Sequence, residues 1–134
     1  MKINAIYLHN FRNYSECALQ FPAMVNIFYG KNAQGKTNLL EAVFYAAFGM
    51  SHRTSQEDDL FGEGRRKLAV KACFNSFDAD YEIKIKRYEQ HGRIKKELLL
   101  DNVSIKAKEH YGMLNAVMFS PEDLQLIKGE PPFF

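Results

Sequence analysis

Gly30-Lys31-Asn32-Ala33-Gln34-Gly35-Lys36-Thr37 satisfies the pattern G-x-x-x-x-G-K-[ST] at every fixed position. On average residue frequencies, a chance match in a chain of 134 residues has odds of roughly one in two hundred. The flanking residues agree with the motif. Met24-Val25-Asn26-Ile27-Phe28-Tyr29 is a continuous, partly β-branched apolar run of the kind that forms a strand buried on both faces. From Lys36 the spacing becomes helical, with Leu39, Leu40, Val43, Phe44, Ala47 and Phe48 at intervals of three and four, and Gly49 supplies a C-terminal stop. Glycines let such a loop fold tightly, so that successive N–H groups face an anion. A helix starting near Lys36 aims the positive end of its dipole at the same point. Lys36 then offers a mobile cation to the β- and γ-phosphates of a nucleotide, and the Thr37 hydroxyl offers an oxygen to Mg²⁺. The bland alternative is a glycine turn with an incidental Lys-Thr.

Working outward, Ile3, Ile6 and Leu8 with Tyr7 predict a first strand, broken at Asn10 to Asn13. Ser15 to Phe21 predicts a second, closed by Pro22. Beyond Gly49, the polar stretch Ser51 to Gly64 reads as a loop or short helix. Alternation then takes over: Leu68, Val70, Ala72 and Phe74 share one strand face, and Tyr81, Ile83 and Ile85 share another, with Glu82, Lys84 and Lys86 pointing opposite. Asp101-Asn102 between Glu97–Leu100 and Val103–Ile105 is a two-residue hairpin signal. Ala116 to Phe119 is a further buried-strand candidate, and Ser120-Pro121-Glu122-Asp123 has the chemistry of a helix start. The expected fold is α/β, a mixed sheet packed on the helix of the phosphate-binding loop, with an antiparallel portion from Arg65 to Ile105. There is no internal repeat, linker or low-complexity tract.

Composition excludes several classes. Hydrophobic residues at 46% and charged residues at 25% are ordinary for a folded domain and too rich in apolar side chains for wholesale disorder. The longest apolar run, Ala42 to Phe48, is too short to cross a bilayer, and Met1-Lys2-Ile3-Asn4 lacks the apolar stretch of an export signal. Cys17 and Cys73 form neither a disulfide framework nor a zinc pattern, so a reducing cytoplasm is expected, with no membrane partner. The ending Glu130-Pro131-Pro132-Phe133-Phe134 lacks the usual polar tail, which suggests a chain cut inside a longer protein; a small protein docking its Phe pair on its own core is the alternative.

Net charge is only +2, so attraction to a polyanion has to come from clustering. Arg65 to Lys96 holds ten basic residues, Arg65, Arg66, Lys67, Lys71, Lys84, Lys86, Arg87, Arg93, Lys95 and Lys96, against four acidic ones, while Glu57 to Glu63 forms an acidic counterpart. A basic sheet face can bind nucleic-acid phosphates through backbone contacts without reading sequence; equally, lysines guard sheet edges against aggregation. Arg53, Arg65, Arg66, Lys84 and Lys86 are the candidates for DNA contact.

A phosphate-binding loop does not by itself define an activity. Nucleoside kinases and GTPases usually begin almost directly with the strand that leads into the loop, whereas two candidate strands precede it here. A small-molecule P-loop kinase would also need a lid of arginines, and no compact set is present. Hydrolysis requires a second acidic site for the Mg²⁺ water shell. Glu122 and Asp123 are the nearest imitation, but their place in a helix's first turn reads as capping. These residues alone are therefore expected to have little ATPase activity.

Leu8-His9-Asn10-Phe11-Arg12-Asn13-Tyr14, the run Asn32-Ala33-Gln34-Gly35-Lys36-Thr37-Asn38-Leu39-Leu40-Glu41-Ala42, Gly49 to Ser55, and Phe119 to Leu124 with Lys128-Gly129 together resemble the RecF family, a branch of the SMC/Rad50-like ABC ATPases. The resemblance runs through residues 1–134 and implies the N-terminal part of an ATPase head, with the Walker B acids, signature motif and arm lobe elsewhere. It implies ATP and Mg²⁺ as cofactors, ATP-dependent homodimerisation, DNA binding at single-strand gaps, and work with RecR and RecO in loading recombinase. By position it places Gly30, Lys31, Asn32, Ala33, Gln34, Gly35, Lys36, Thr37 and Asn38 around the nucleotide, with Arg12 and Asn13 approaching from the loop after the first strand and Tyr14 nearby. His52 and Arg53 follow the helix, where they would touch phosphate or DNA or be merely structural. Glu122 or Asp123 would stand where related ATPases sense the γ-phosphate. Glu130-Pro131-Pro132 departs from the family's single proline.

Overall fold

The computed structural model describes residues 1–22, 24, 26 and 33–115. Strands β1 (Lys2–Phe11) and β2 (Tyr14–Gln20) form an antiparallel hairpin whose last pair is Phe11 with Tyr14, leaving Arg12 and Asn13 as its turn. Helix α1 (Ala33–Phe48) follows, then a single 3₁₀ turn at Glu57–Leu60. Strands β3 (Lys67–Ser76), β4 (Ala79–Gln90), β5 (Arg93–Leu100) and β6 (Val103–Ser104) form a meander that ends at the four-residue helix α2 (Ala107–His110). Strand order in the single sheet is β2-β1-β3-β4-β5-β6, and every described pairing is antiparallel. The expected strand at 24–29, the candidate to make the sheet mixed, lies largely outside the described residues, as do the expected strand at 116–119 and the helix start at 120–123.

The meander closes through tight turns that the strands' right-handed twist demands. Phe77-Asp78, His91-Gly92 and Asp101-Asn102 each have positive φ at both central positions, the geometry that matches two twisted strands across a two-residue loop. Only Asp101-Asn102 had turn chemistry clear enough to be read beforehand. Phe77 accepts the left-handed conformation at the cost of leaving its ring wholly in solvent. Strand β5 begins at Arg93, earlier than the Glu97 expected from composition, because β4–β5 pairing continues to Gln90 with Arg93.

Alternation along the strands decides which face is buried. Ile6 and Leu8 of β1, Leu68, Val70, Ala72 and Phe74 of β3, and Ile83 and Ile85 of β4 turn to one side and meet Leu39, Ala42, Tyr45 and Ala46 of α1. The apolar spacing located the inner stripe only in part: Leu39 and Ala47 are buried as it suggested, but Leu40 remains 43% exposed, while Ala42 and Tyr45, outside that spacing, are fully buried. A helix apolar on most of its circumference does not announce its inner face, and here small alanines allow close approach to the sheet. Gly49 ends α1 with φ near +72°, donating its N–H to the Tyr45 carbonyl at 2.7 Å, as the sequence predicted.

Two further contacts hold the layers together. The N–H groups of Arg12 and Gly62 donate to the carbonyls of Leu60 and Asn10, both at 2.8 Å, so the 3₁₀ segment is sewn to the end of β1. A Cβ at position 62 would lie 3.3 Å from the Arg12 carbonyl oxygen, which favours glycine there. At the other end of α1, His110 is 2% exposed and donates Nε2–H to the Ala46 carbonyl at 2.8 Å.

Burial holds the His110 imidazole below its ordinary pKa of 6.5, with the nearby Lys96 charge acting in the same direction and the Ala46 carbonyl opposing. The unfolded chain therefore binds this proton more readily than the folded one. The stabilisation is complete above pH 6.5 and is lost as pH falls through the folded value. Urea unfolding at about pH 7.5 and about pH 5.5 should show the protein less stable at the lower pH, and His110→Gln should shrink that difference. An undiminished difference in the variant would assign the effect elsewhere.

Candidate phosphate-binding site

The motif's second half opens a helix. Ala33 is the first residue of α1, so Gly35, Lys36 and Thr37 sit in its first two turns, at the positive end of the helix dipole. Gly30, Lys31 and Asn32 lie outside the described residues, as do Glu122 and Asp123. Gly35 and Asn38 are buried, Lys36 half-buried and Thr37 exposed. Helix start, dipole and lysine therefore coincide, which is the arrangement a phosphate requires. The helix begins three residues ahead of Lys36, earlier than its apolar periodicity suggested.

The turn after β1 braces this helix end. The Tyr14 hydroxyl donates to the Gly35 carbonyl at 2.8 Å, and Asn38 donates its side-chain amide to Asn13 Oδ1 at 2.8 Å. Arg12 lays its guanidinium on Glu41 in a two-pronged contact, Nε to Oε1 and Nη2 to Oε2, both 2.9 Å. Burial, followed by the neighbouring Cys17, raises the Tyr14 phenol above its usual pKa, so it remains a donor. All three residues that the sequence proposed from this turn thus meet the helix, Asn13 through its second turn and Arg12 through its third.

Glu41 is the residue that sequence reading missed. It is fully buried on the sheet side of α1 and carries four donors: the two from Arg12, Arg53 Nη1 at 3.2 Å, and the Ser51 hydroxyl at 2.6 Å. Burial works to raise its pKa; the bonds from Arg12 and Ser51 and the charges of Arg12 and Arg53 outweigh it and hold the carboxyl below the ordinary 4.5. Arg53 also donates to Asn38 Oδ1 at 2.6 Å, and the Ser51 hydroxyl oxygen accepts from the Arg53 N–H at 2.9 Å. The signal available was a glutamate flanked by buried Leu39 and Ala42, since a carboxylate on an apolar face needs partners.

A second polar cluster fixes the other half of α1. Glu57 accepts from the buried Tyr45 hydroxyl and from Lys96 Nζ, both at 2.8 Å, with Arg87 Nη1 at 3.5 Å from its other oxygen. Burial pushes the Glu57 carboxyl up; the Lys96 and Tyr45 bonds and the Lys96 and Arg87 charges bring it below 4.5 overall. Arg87 also reaches Asp58 at 2.7 Å.

These contacts divide the basic segment. Arg87 and Lys96 face α1 and are engaged there, while the register places Lys84 level with Lys71 and Tyr7, and Lys86 level with Ala69 and His9, on the opposite face. That face has a shallow groove of about 420 Å³ lined by residues including Tyr7, His9, Glu16, Lys71 and Lys84. Lys71 stacks over Tyr7 at 4.4 Å and pairs with Glu82 at 3.7 Å. Arg66 pairs with Glu89 at 3.6 Å, and Arg65 is exposed. The five candidates for DNA contact are thus not one patch: Arg53 belongs to the helix side, and Lys84 and Lys86 to the far face. Among the described residues no three His, Cys, Asp or Glu side chains are grouped to hold a metal, and no helix is long and apolar enough to cross a membrane.

Fold and site together define an α/β lobe of the P-loop ATPase kind. The chain belongs to the family described as an AAA domain, which it matches over residues 5–126. The DNA replication and repair protein RecF of Clostridium acetobutylicum is 39% identical to it over 132 residues, covering 98% of this chain and 36% of that protein. The protein of the same name from Natranaerobius thermophilus is 41% identical over 132 residues, covering 98% and 34%. The chain spans about a third of the length of the curated relatives it matches. A solved structure of the recombination mediator protein RecF with ATP superposes with a TM-score of 0.83 at 34% identity, covering 97% of this chain and 35% of that one. The SMC head domain from Thermotoga maritima, at 18% identity and a TM-score of 0.50, shares the fold.

Because the folded pKa values of Glu41 and Glu57 both lie below 4.5, their contribution to stability is complete above that pH and is lost as pH falls through the lower folded values. Urea unfolding followed from about pH 6 to about pH 3 should show stability falling in the acid range. Glu57→Gln should be less stable at the upper end and fall less steeply. Equal slopes for the two proteins would remove Glu57 from the account.

Proposed function

We propose that this chain is the N-terminal, ATP-binding part of a DNA replication and repair ATPase, and that the start of α1 holds the triphosphate. One observation carries the reading: within G-x-x-x-x-G-K-T the helix has begun by Ala33, so Lys36 and Thr37 stand in its first turns, at the positive end of the helix dipole. The names of its relatives, and the likeness to RecF in complex with ATP, support the same nucleotide and the same cellular process.

Lys36 binds the β- and γ-phosphates as a mobile cation, while N–H groups of the first turn donate to the phosphate oxygens as neutral partners. Thr37 is exposed and carries a hard neutral oxygen, the ligand type Mg²⁺ takes together with phosphate and water, so the residues present fit that ion. When bound, Mg²⁺ would neutralise charge on the β- and γ-oxygens. Ala33, Gln34, Gly35 and Asn38 complete the described part of the cradle, with Gly30, Lys31 and Asn32 ahead of it. Asn13 braces the helix through Asn38 and Arg12 through Glu41, which sets both beside the cradle.

In the whole protein, ATP drives homodimerisation and DNA binding at gaps, in the cytoplasm and alongside RecR and RecO. Lys84 and Lys86, with Lys71 on the same face, supply backbone-phosphate contacts, and Arg65 and Arg66, just ahead of β3, supply separate ones. In the full-length protein, Lys36→Ala should weaken ATP binding, measured by calorimetry, at least about tenfold, which is about 1.4 kcal/mol. The same variant should lose ATP-stimulated dimerisation in sedimentation. Unchanged ATP affinity would refute the assignment of the cradle; unchanged dimerisation with weakened ATP binding would refute the switch.

A further inference from the structure

One buried carboxylate faces two guanidinium groups. Glu41 accepts from Arg12 Nε and Nη2 at 2.9 Å each, from Arg53 Nη1 at 3.2 Å and from the Ser51 hydroxyl at 2.6 Å, so its oxygens are filled. The charges do not cancel: two cations against one anion leave a surplus of one positive charge. Both arginines also retain access to solvent, with side chains 21% and 27% exposed while Glu41 has none. Arg12 Nη1 and Arg53 Nε and Nη2 make no hydrogen bond among the described residues.

This surplus lies next to the proposed cradle. Asn38 directly follows Thr37 and shares a helix face with Glu41, three positions on. Its side-chain oxygen accepts from Arg53 at 2.6 Å and its amide donates to Asn13 at 2.8 Å. Segments far apart in the chain, the β1–β2 turn and the loop after α1, thus converge within about one and a half helical turns of Lys36. A guanidinium held by both prongs has its plane fixed, and its remaining donors then point in a defined direction.

We propose that Glu41 is a positioning residue for the polyphosphate: it holds Arg12 and Arg53 as a pair, with their surplus positive charge directed at the outer phosphates of the nucleotide. The proposal rests on the reading of α1 as the ATP site. Its consequence is selective. Charge held one turn beyond the cradle acts on β- and γ-phosphates and contributes little to a nucleoside monophosphate, whereas a general loosening of the fold would weaken both ligands alike.

The test is competitive binding of ATP with Mg²⁺, and of AMP, to the full-length protein and to Glu41→Gln, which keeps the shape and removes the charge. Weakening of ATP by about fivefold or more, with AMP changed by less than about twofold, is the expected result. Equal weakening of both ligands, or no change in either, overturns the proposal. If Glu41→Gln does not fold by circular dichroism, Arg53→Gln decides on the same ratio, because it removes a partly exposed cation and leaves Arg12 on the carboxylate. Should the unsubstituted protein bind no ATP, the cradle itself is wrong and the proposal falls with it; normal ATP binding with an unchanged ratio removes only the role of Glu41.

Discussion

A carboxylate without access to water must be met by enough donors and positive charge to replace its hydration, and Glu41 imposes that requirement on the fold. Its side chain leaves the middle of α1 on the face that packs against the sheet. Arg12 therefore has to come from the β1–β2 turn, and Arg53 and Ser51 from the loop beyond the helix, to the same point. Meeting one buried charge ties together three segments, α1, the β1–β2 turn and the loop beyond the helix. The alignment fixes the height of the turn against the first residues of α1, where Tyr14 and Asn13 take their own partners. The proposed anion site is thus held in place by a buried carboxylate and its cation pair, built one turn away.

The Glu57 cluster repeats the principle at the far half of the helix. Lys96 and Arg87 converge on one carboxylate, and Lys96 also donates to the Gly49 carbonyl where α1 ends. Cations at a helix C-terminus are favoured by its dipole, as anions are at its start. The helix therefore has matching electrostatic ends, with its N-terminus left clear of acidic side chains in the first turn. This division of charge makes the basic segment serve two purposes: part of it locks the helix to the sheet, and part remains on the outer face.

Much of this was legible in the amino-acid order. Hydrophobic alternation located β3 and β4 and their inner faces, and the eight-residue motif located the start of α1, because both rest on fixed periods and on glycine's freedom. The placing of Arg87 and Lys96 was also within reach. Arg87 stands two residues after the buried Ile85 and so must share its face, and the β4–β5 register sets Lys96 opposite it. Charge counted along the chain, without regard to alternation, hid that split. The inner face of α1 was legible only in part, at Leu39 and Ala47: apolar residues surround the helix, and the choice between Leu40 and Tyr45 depends on how the sheet approaches. Glu41 was hidden for the related reason that its partners lie 29 and 12 positions away in the chain. The turn at Phe77-Asp78 was missed because pairing of the strands overrides the local preference of a phenylalanine.

The account stands or falls on whether nucleotide phosphates meet the first turn of α1 and are felt through Glu41 in both neighbouring loops. Amide hydrogen exchange of the full-length protein, with and without saturating ATP and Mg²⁺, measures this directly. Slowed exchange in residues 33–38, together with residues 12–14 and 51–54, is the predicted pattern. Exchange unaltered in all three segments, while ATP is demonstrably bound, would contradict it.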